Sequence, residues 1–307
     1  MMHLTQPFYQ QLDQSYAQGG IQAAEQFLLS HIASPHNEYS LVAAYNELGS
    51  LYRGTSRLKE SMDSFEQAET LAARLYGKQR SEYATILNNM AGTCRLAQDH
   101  DRAVSLFKQA IAIYAGAGED NGYLYASVWN NLALAYRDSG RSHDAIRCLD
   151  QALSIMKELP GYSQELAITH NNLAVLLHSS GDQEGAAFHL SRAMEEFDAC
   201  SDEENVHYAA GLNSLASFLY TTGDFPRALE AFEKSAQYTM RFFGKNLEYA
   251  LTYQNMSRVC EALGDYSQAI SALQTARDLY SDLLGTNHPR TLTATSELEQ
   301  LRREADL

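Results

Sequence analysis

One anchor recurs along the chain as YNELGSLY, LNNMAGTC, WNNLALAY, HNNLAVLL, LNSLASFL and YQNMSRVC, beginning at Tyr45, Leu87, Trp129, His170, Leu212 and Tyr253. Its central apolar residues are Leu48, Met90, Leu132, Leu173, Leu215 and Met256, with Leu298 following, and they are spaced 42, 42, 41, 42, 41 and 42 residues apart. So regular a period means one supersecondary unit per repeat, each burying its apolar face on the next. It also accommodates 307 residues without asking a single compact core to organise them all.

Within a unit, the small residue after the anchor (Gly49, Ala91, Ala133, Ala174, Ala216, Ser257) is followed three positions on by Tyr52, Cys94, Tyr136, Leu177, Leu219 or Cys260. That is the spacing of neighbours on one helix face, here called helix A. A second segment carries Ala-x3-Phe/Leu-x2-Ala, seen as Ala103, Phe107, Ala110; Ala145, Leu149, Ala152; Ala186, Leu190, Ala193; and Ala269, Leu273, Ala276. This predicts a helix B packed on helix A. Gly140, Gly181, Gly223 and Gly264 stand in the short turns between the two, where a left-handed residue ends a helix. The longer connections between hairpins carry Tyr83, Tyr125, Tyr208 and Tyr249 before an Ala, placed to wedge between units.

The ladder of aromatic, Leu-Gly/Ala, Tyr, Ala, Phe and Ala, nearly complete in Trp129, Leu132, Ala133, Tyr136, Ala145 and Ala152, resembles the tetratricopeptide family from about Tyr39 onward. That family's usual period is about 34 residues. The longer period here, with Asn88 to Ala91, Asn130 to Ala133 and Leu284 to Pro289, is similar to the elongated repeats of kinesin light chains. The resemblance implies an all-α, right-handed superhelical solenoid of antiparallel helix pairs, with about fifteen helices. The expected division is a degenerate hairpin over 1–38, six repeats over 39–285 and a capping helix over 286–307, since terminal units of solenoids serve as caps.

Two positions before each anchor stand Asn46, Asn88, Asn130, Asn171, Asn213 and Gln254; one position before stand Glu47, Asn89, Asn131, Asn172, Ser214 and Asn255. A carboxamide both donates and accepts, so a row of them, one per repeat, can pair with successive amides and carbonyls of an extended peptide. The resemblance implies this use, because kinesin-light-chain-like repeats employ groove asparagines in that way. The alternative use of the same row is to tie adjacent helices together. Seven residues beyond the first Asn come Arg53, Arg95 and Arg137, then His178, Tyr220 and Glu261. Three guanidinium groups on consecutive units favour a carboxylate-bearing segment, or else pair with nearby Asp and Glu. The Lys positions of chaperone-binding carboxylate clamps hold other residues here, which disfavours that role.

The remaining composition narrows the function by exclusion. With 23 Lys and Arg against 38 Asp and Glu, the chain carries −15, which disfavours nucleic acid and anionic membranes as partners. The half after Asp150 holds 11 basic against 22 acidic residues. No stretch approaches the ~20 apolar residues of a membrane span, and the first residues lack a secretory pattern. Cys94, Cys148, Cys200 and Cys260 lie tens of residues apart without a C-x-x-C pair, as reduced cytosolic thiols do. His170 and His178 have no Cys or carboxylate at zinc-like spacing, and no phosphate-binding or hydrolase motif occurs. The expectation is a cytoplasmic, non-catalytic adaptor without cofactor or metal that binds a protein or peptide segment of acidic preference. The competing expectations are a signalling-peptide sensor, for whose effector domain the ~40 opening residues are too few, and a self-associating scaffold.

Overall fold

The computed structural model describes residues 2–119, 122–199 and 206–305, which form fourteen α-helices and, among the described residues, no strand. The chain divides into two compact units, Met1–Pro160 and Gly161–Leu307. The first holds α1 (Met2–Ala33) and three hairpins: α2 (Glu38–Gly54) with α3 (Leu58–Leu75), α4 (Ser81–Leu96) with α5 (His100–Gly116), and α6 (Tyr123–Asp138) with α7 (Ser142–Met156). The second holds α8 (Ser163–Ser179) with α9 (Gln183–Ala199), α10 (Val206–Thr221) with α11 (Phe225–Phe243), α12 (Leu247–Ala262) with α13 (Tyr266–Leu284), and α14 (Pro289–Ala305) on α13. The even-numbered helices α2 to α12 are the A helices. α1 is broken at Gly19 and Gly20, where Gly20 takes φ 61° and ψ −150°, a region reserved for glycine. Counting its two arms separately gives the fifteen helices the repeat implied.

The ladder is the core. Ala103, Phe107 and Ala110 of α5 and Ala145, Leu149 and Ala152 of α7 are fully buried, and Leu48, Met90, Leu132 and Leu173 are buried on their own A helices. Leu215 and Met256 are half-buried at the same position. Close approach of helix B explains Gly49, because a Cβ there would sit 2.8 Å from the buried ring of Phe65. Of the connecting tyrosines, Tyr83 donates to Glu69 of α3 at 2.5 Å, and Tyr208 meets Phe197 of α9 and Tyr238 of α11 edge-on, so both bridge neighbouring hairpins. Tyr125 and Tyr249 instead meet Trp129 and Tyr253 of their own helices edge-on.

All six A-to-B turns close alike. The residue eight after the anchor is left-handed: Ser56, Gln98, Gly140, Gly181, Gly223 and Gly264 all have positive φ. The next N–H then returns to the carbonyl of Tyr52, Cys94, Tyr136, Leu177, Leu219 or Cys260 at 2.8–2.9 Å, completing a Schellman closure. What starts helix B depends on the ladder. Where the slot is Tyr52 or Tyr136, the next residue is Arg57 or Arg141, stacked 4.0 and 4.4 Å above that ring. Where the slot is Cys or Leu, the next residue is Asp99, Asp182, Asp224 or Asp265, whose carboxylate accepts from the backbone N–H three residues on.

Cys94, Cys148 and Cys260 are buried free thiols, and burial pushes Cys148 and Cys260 up to about 11. Cys200 lies outside the described residues, as do residues 201–205 of its connection. No helix among the described residues is long and apolar enough to cross a membrane, and none of them cluster as a metal-binding group of three or more.

Candidate peptide-binding face

The A-helix positions around each anchor are set by helical geometry: with the anchor turned onto helix B, the residues one and two before it and five after it lie to one side of that seam. All nine predicted asparagines are half-buried. Arg53 and Arg95 are half-buried with them, while Arg137 is more exposed.

In the first unit the asparagines bond to one another. Asn131 Nδ2 donates to Asn88 Oδ1 (3.1 Å), Asn88 Nδ2 to Asn89 Oδ1 (3.4 Å), and Asn89 Nδ2 to Asn46 Oδ1 (2.9 Å). Asn46 Nδ2 then donates to Glu47 Oε1 (3.3 Å), so the chain of amides runs one way and ends on a carboxylate. Burial pushes the Glu47 carboxyl up, with Asn46, Arg53 and the Tyr9 hydroxyl acting against that shift. The links between repeats join residues 43 apart, one more than the period, so the second asparagine of one unit meets the first of the unit before it.

The same offset organises the charged positions. Arg95 meets Asp138 at 2.6 Å, 43 residues on, and Arg137 reaches the same carboxylate at 2.9 Å. Burial raises the Asp138 carboxyl, but the two guanidinium groups outweigh it and hold it below its ordinary range. Arg53 donates to the Asn89 carbonyl at 3.1 Å and lies against Gly92, where a Cβ would meet its guanidinium at 2.7 Å. The three arginines are therefore engaged within the chain, two of them sharing one acid. Asn130 also has an interaction partner.

The second unit is different. Asn213 Oδ1 accepts from Thr252 at 3.2 Å, and Gln254 donates to Glu297 at 2.7 Å. The described residues offer no hydrogen-bond partner to Asn171 Oδ1, which is buried, and none to Asn172 or Asn255. Asn213 and Asn255 line an open pocket of about 900 Å³ together with Val175, His178, Phe218 and Leu251. Val175 and Leu251 keep 41% and 36% of their surface exposed, so the pocket presents apolar side chains to solvent beside unfilled amide groups. His178 is fixed at its edge by Thr221 (3.1 Å) and Gln183 (3.0 Å). The sequence pattern marked Asn213, Asn255 and His178 but neither this apolar trio nor Asp138; the offset of 43 would have found Asp138.

The sequence profile of the tetratricopeptide repeat family matches residues 40–115, 124–195 and 207–282. The chain is 21% identical over 287 residues to the protein kinesin light chain-related 3 of Arabidopsis thaliana, covering 92% of this chain and 44% of that one. It spans less than half the length of the curated relatives it matches. Among solved structures it is similar to BtubC (BKLC) from P. vanneervenii, with a TM-score of 0.65 and 22% identity over 76% of this chain and 94% of that one. It is also similar to a Rap protein complexed with competence and sporulation factor, with a TM-score of 0.63 and 14% identity over 95% of this chain and 83% of that one.

Proposed function

The chain belongs to the tetratricopeptide repeat family, in its 42-residue, kinesin-light-chain-like form, and from that premise we propose that it is a non-catalytic module holding an extended segment of a partner protein. The observation that carries this reading is the second unit's A-helix face, where Asn172 and Asn255 have no hydrogen-bond partner among the described residues and Asn255 borders the pocket of Val175, Phe218 and Leu251. Carboxamides would pair with the segment's backbone while one apolar side chain fills the pocket. The first unit's asparagines Asn46, Asn88, Asn89 and Asn131 contribute to binding only through the hydrogen-bond capacity left over from their mutual bonds. An acidic preference through Arg53, Arg95 and Arg137 requires the ligand to compete with Asp138 and a backbone carbonyl. The first arm of α1 and helix α14 would close the ends of the array, and the acidic, thiol-bearing composition suits a cytosolic setting.

The test is selection of a binding peptide on the whole chain from a random display library, followed by titration against Asn172→Ala, Asn255→Ala and Leu251→Ser. Each variant should bind at least fivefold more weakly with an unchanged helical circular dichroism spectrum. Equal affinity in all three would overturn the reading. The Rap likeness supports a second reading, in which the occupant is a free signalling peptide; its mark is a ligand whose own termini are needed for binding, whereas an internal protein segment tolerates extension at both ends.

A further inference from the structure

A second pocket, in the first unit, is built from residues outside the repeat ladder. Tyr9 of α1, Tyr39 of α2 and Tyr76, just past the end of α3, surround it, with Val42 and Ile86 as buried floor and Glu82 of α4 at the wall. The Tyr39 and Tyr76 rings lie 5.6 Å apart at 44°. The phenols converge on acid: burial, then the Glu47 charge and Tyr76, push Tyr9 up to about 12, and burial, Glu82 and Tyr39 push Tyr76 up. Among the described residues, no Lys or Arg lines the pocket. Arg80, an exposed side chain, lies 3.8 Å from Glu82, and the Arg53 charge acts on Glu47.

Three tyrosine rings, whose faces carry negative potential, line the pocket with the Glu82 carboxylate, and Glu47 acts on it from behind Tyr9, in a chain that already carries −15. Such a site repels an anion and gains nothing from its acids when a neutral apolar group enters. A cation satisfies both, stacking over the rings while its N–H groups meet the carboxylate and phenol oxygens. We infer that the pocket bounded by Tyr9, Tyr39, Tyr76 and Glu82 takes a basic side chain, lysine or arginine, carried by a protein partner. This site is separate from the apolar pocket of the second unit and stands whether or not a peptide binds there.

The test uses the full chain, labelled with ¹³C in its tyrosine rings and titrated with acetyl-Gly-Lys-Gly-amide, with the arginine counterpart, and with the norleucine counterpart, which keeps the aliphatic length without charge. Both basic peptides should shift the Tyr9, Tyr39 and Tyr76 resonances and bind at least tenfold more tightly than norleucine. Raising salt from 0.05 to 0.5 M, as a chosen condition, should weaken them severalfold. Tyr76→Leu should lose about tenfold while Tyr76→Phe, which keeps the ring, stays within threefold. Glu82→Gln at the rim, which leaves the core untouched, should lose threefold or more and serves if Tyr76→Leu folds poorly. Equal binding of norleucine and lysine peptides, shifts confined to other tyrosines, or no binding of any of the three overturns the inference. Failure of the second unit's peptide selection leaves these outcomes unaffected.

Discussion

On the proposed reading the asparagine row serves two ends in the two units, and the pair Asn89→Ala and Asn172→Ala separates them. Asn89 donates to Asn46 Oδ1 at 2.9 Å and accepts weakly from Asn88 at 3.4 Å. Losing one good neutral hydrogen bond and leaving the half-buried Asn46 oxygen unpaired costs about 1–2 kcal/mol. Alanine returns about 0.5 kcal/mol through helix propensity. The net loss is about 0.5–1.5 kcal/mol, or roughly 2- to 12-fold faster opening of the helix. Asn172→Ala removes no hydrogen bond to the described residues, so propensity alone acts and α8 should hold as firmly as before or gain about 0.5 kcal/mol. Hydrogen exchange read by mass spectrometry over 81–96 and 163–179 reports the two openings separately, which matters because a repeat array need not unfold in one step. Equal protection of α4 in wild type and Asn89→Ala refutes the bracing reading; faster exchange of α8 in Asn172→Ala refutes the claim that this side chain is spare.

Three further outcomes follow from the geometry. Gln98 holds φ 63° where four other repeats use glycine, so Gln98→Gly should raise stability by about 0.5 kcal/mol, seen as slower exchange at the α4–α5 turn. Gly49→Ala drives a Cβ into the Phe65 ring and should cost about 1–3 kcal/mol, while Gly54→Ala, with open space around it, should be neutral or better in the same melt. His170 Nδ1 lies 2.8 Å from His189 Nδ1, and burial, then His189 and Arg192, lower His170 to about 4. Unfolding lets the ring bind a proton at its ordinary value near 6.5. The stability that the neutral His170 ring contributes is therefore full above that pH and lost as pH falls toward 4, amounting to about 1–2 kcal/mol after allowing for partial exposure. Denaturation of His170→Phe should be flatter over that window than wild type.

The hairpins, their ladder and the glycine turns were legible in the sequence because each is a local pattern: helical spacing, small residues where helices meet, and glycine where φ is positive. Ser56 and Gln98 fill the left-handed position without glycine, and only the repeat register reveals them. The asparagine row was legible as a row but not as a bonded chain, since its partners lie 43 residues apart and the offset beyond the period comes from how one repeat steps past the next. The division of starts for helix B between Arg over Tyr and Asp as cap was present in the residues at 52 and 57, or 219 and 224, but reads as a rule only once both lie at one turn. Tyr9, Tyr39 and Tyr76 come from three elements at spacings foreign to the repeat, so nothing in the chain announced their meeting.

Carboxamide pairing with a ligand backbone is tested most directly by an N-methyl scan of a peptide selected on the whole chain, read by calorimetry at each backbone nitrogen. Methylation should reduce affinity about tenfold or more at the nitrogens that face Asn172 and Asn255, and Asn172→Ala or Asn255→Ala should abolish the effect at its own partner only. A scan in which every methylated peptide binds like the parent, or in which the losses persist unchanged in both variants, contradicts backbone recognition by this face.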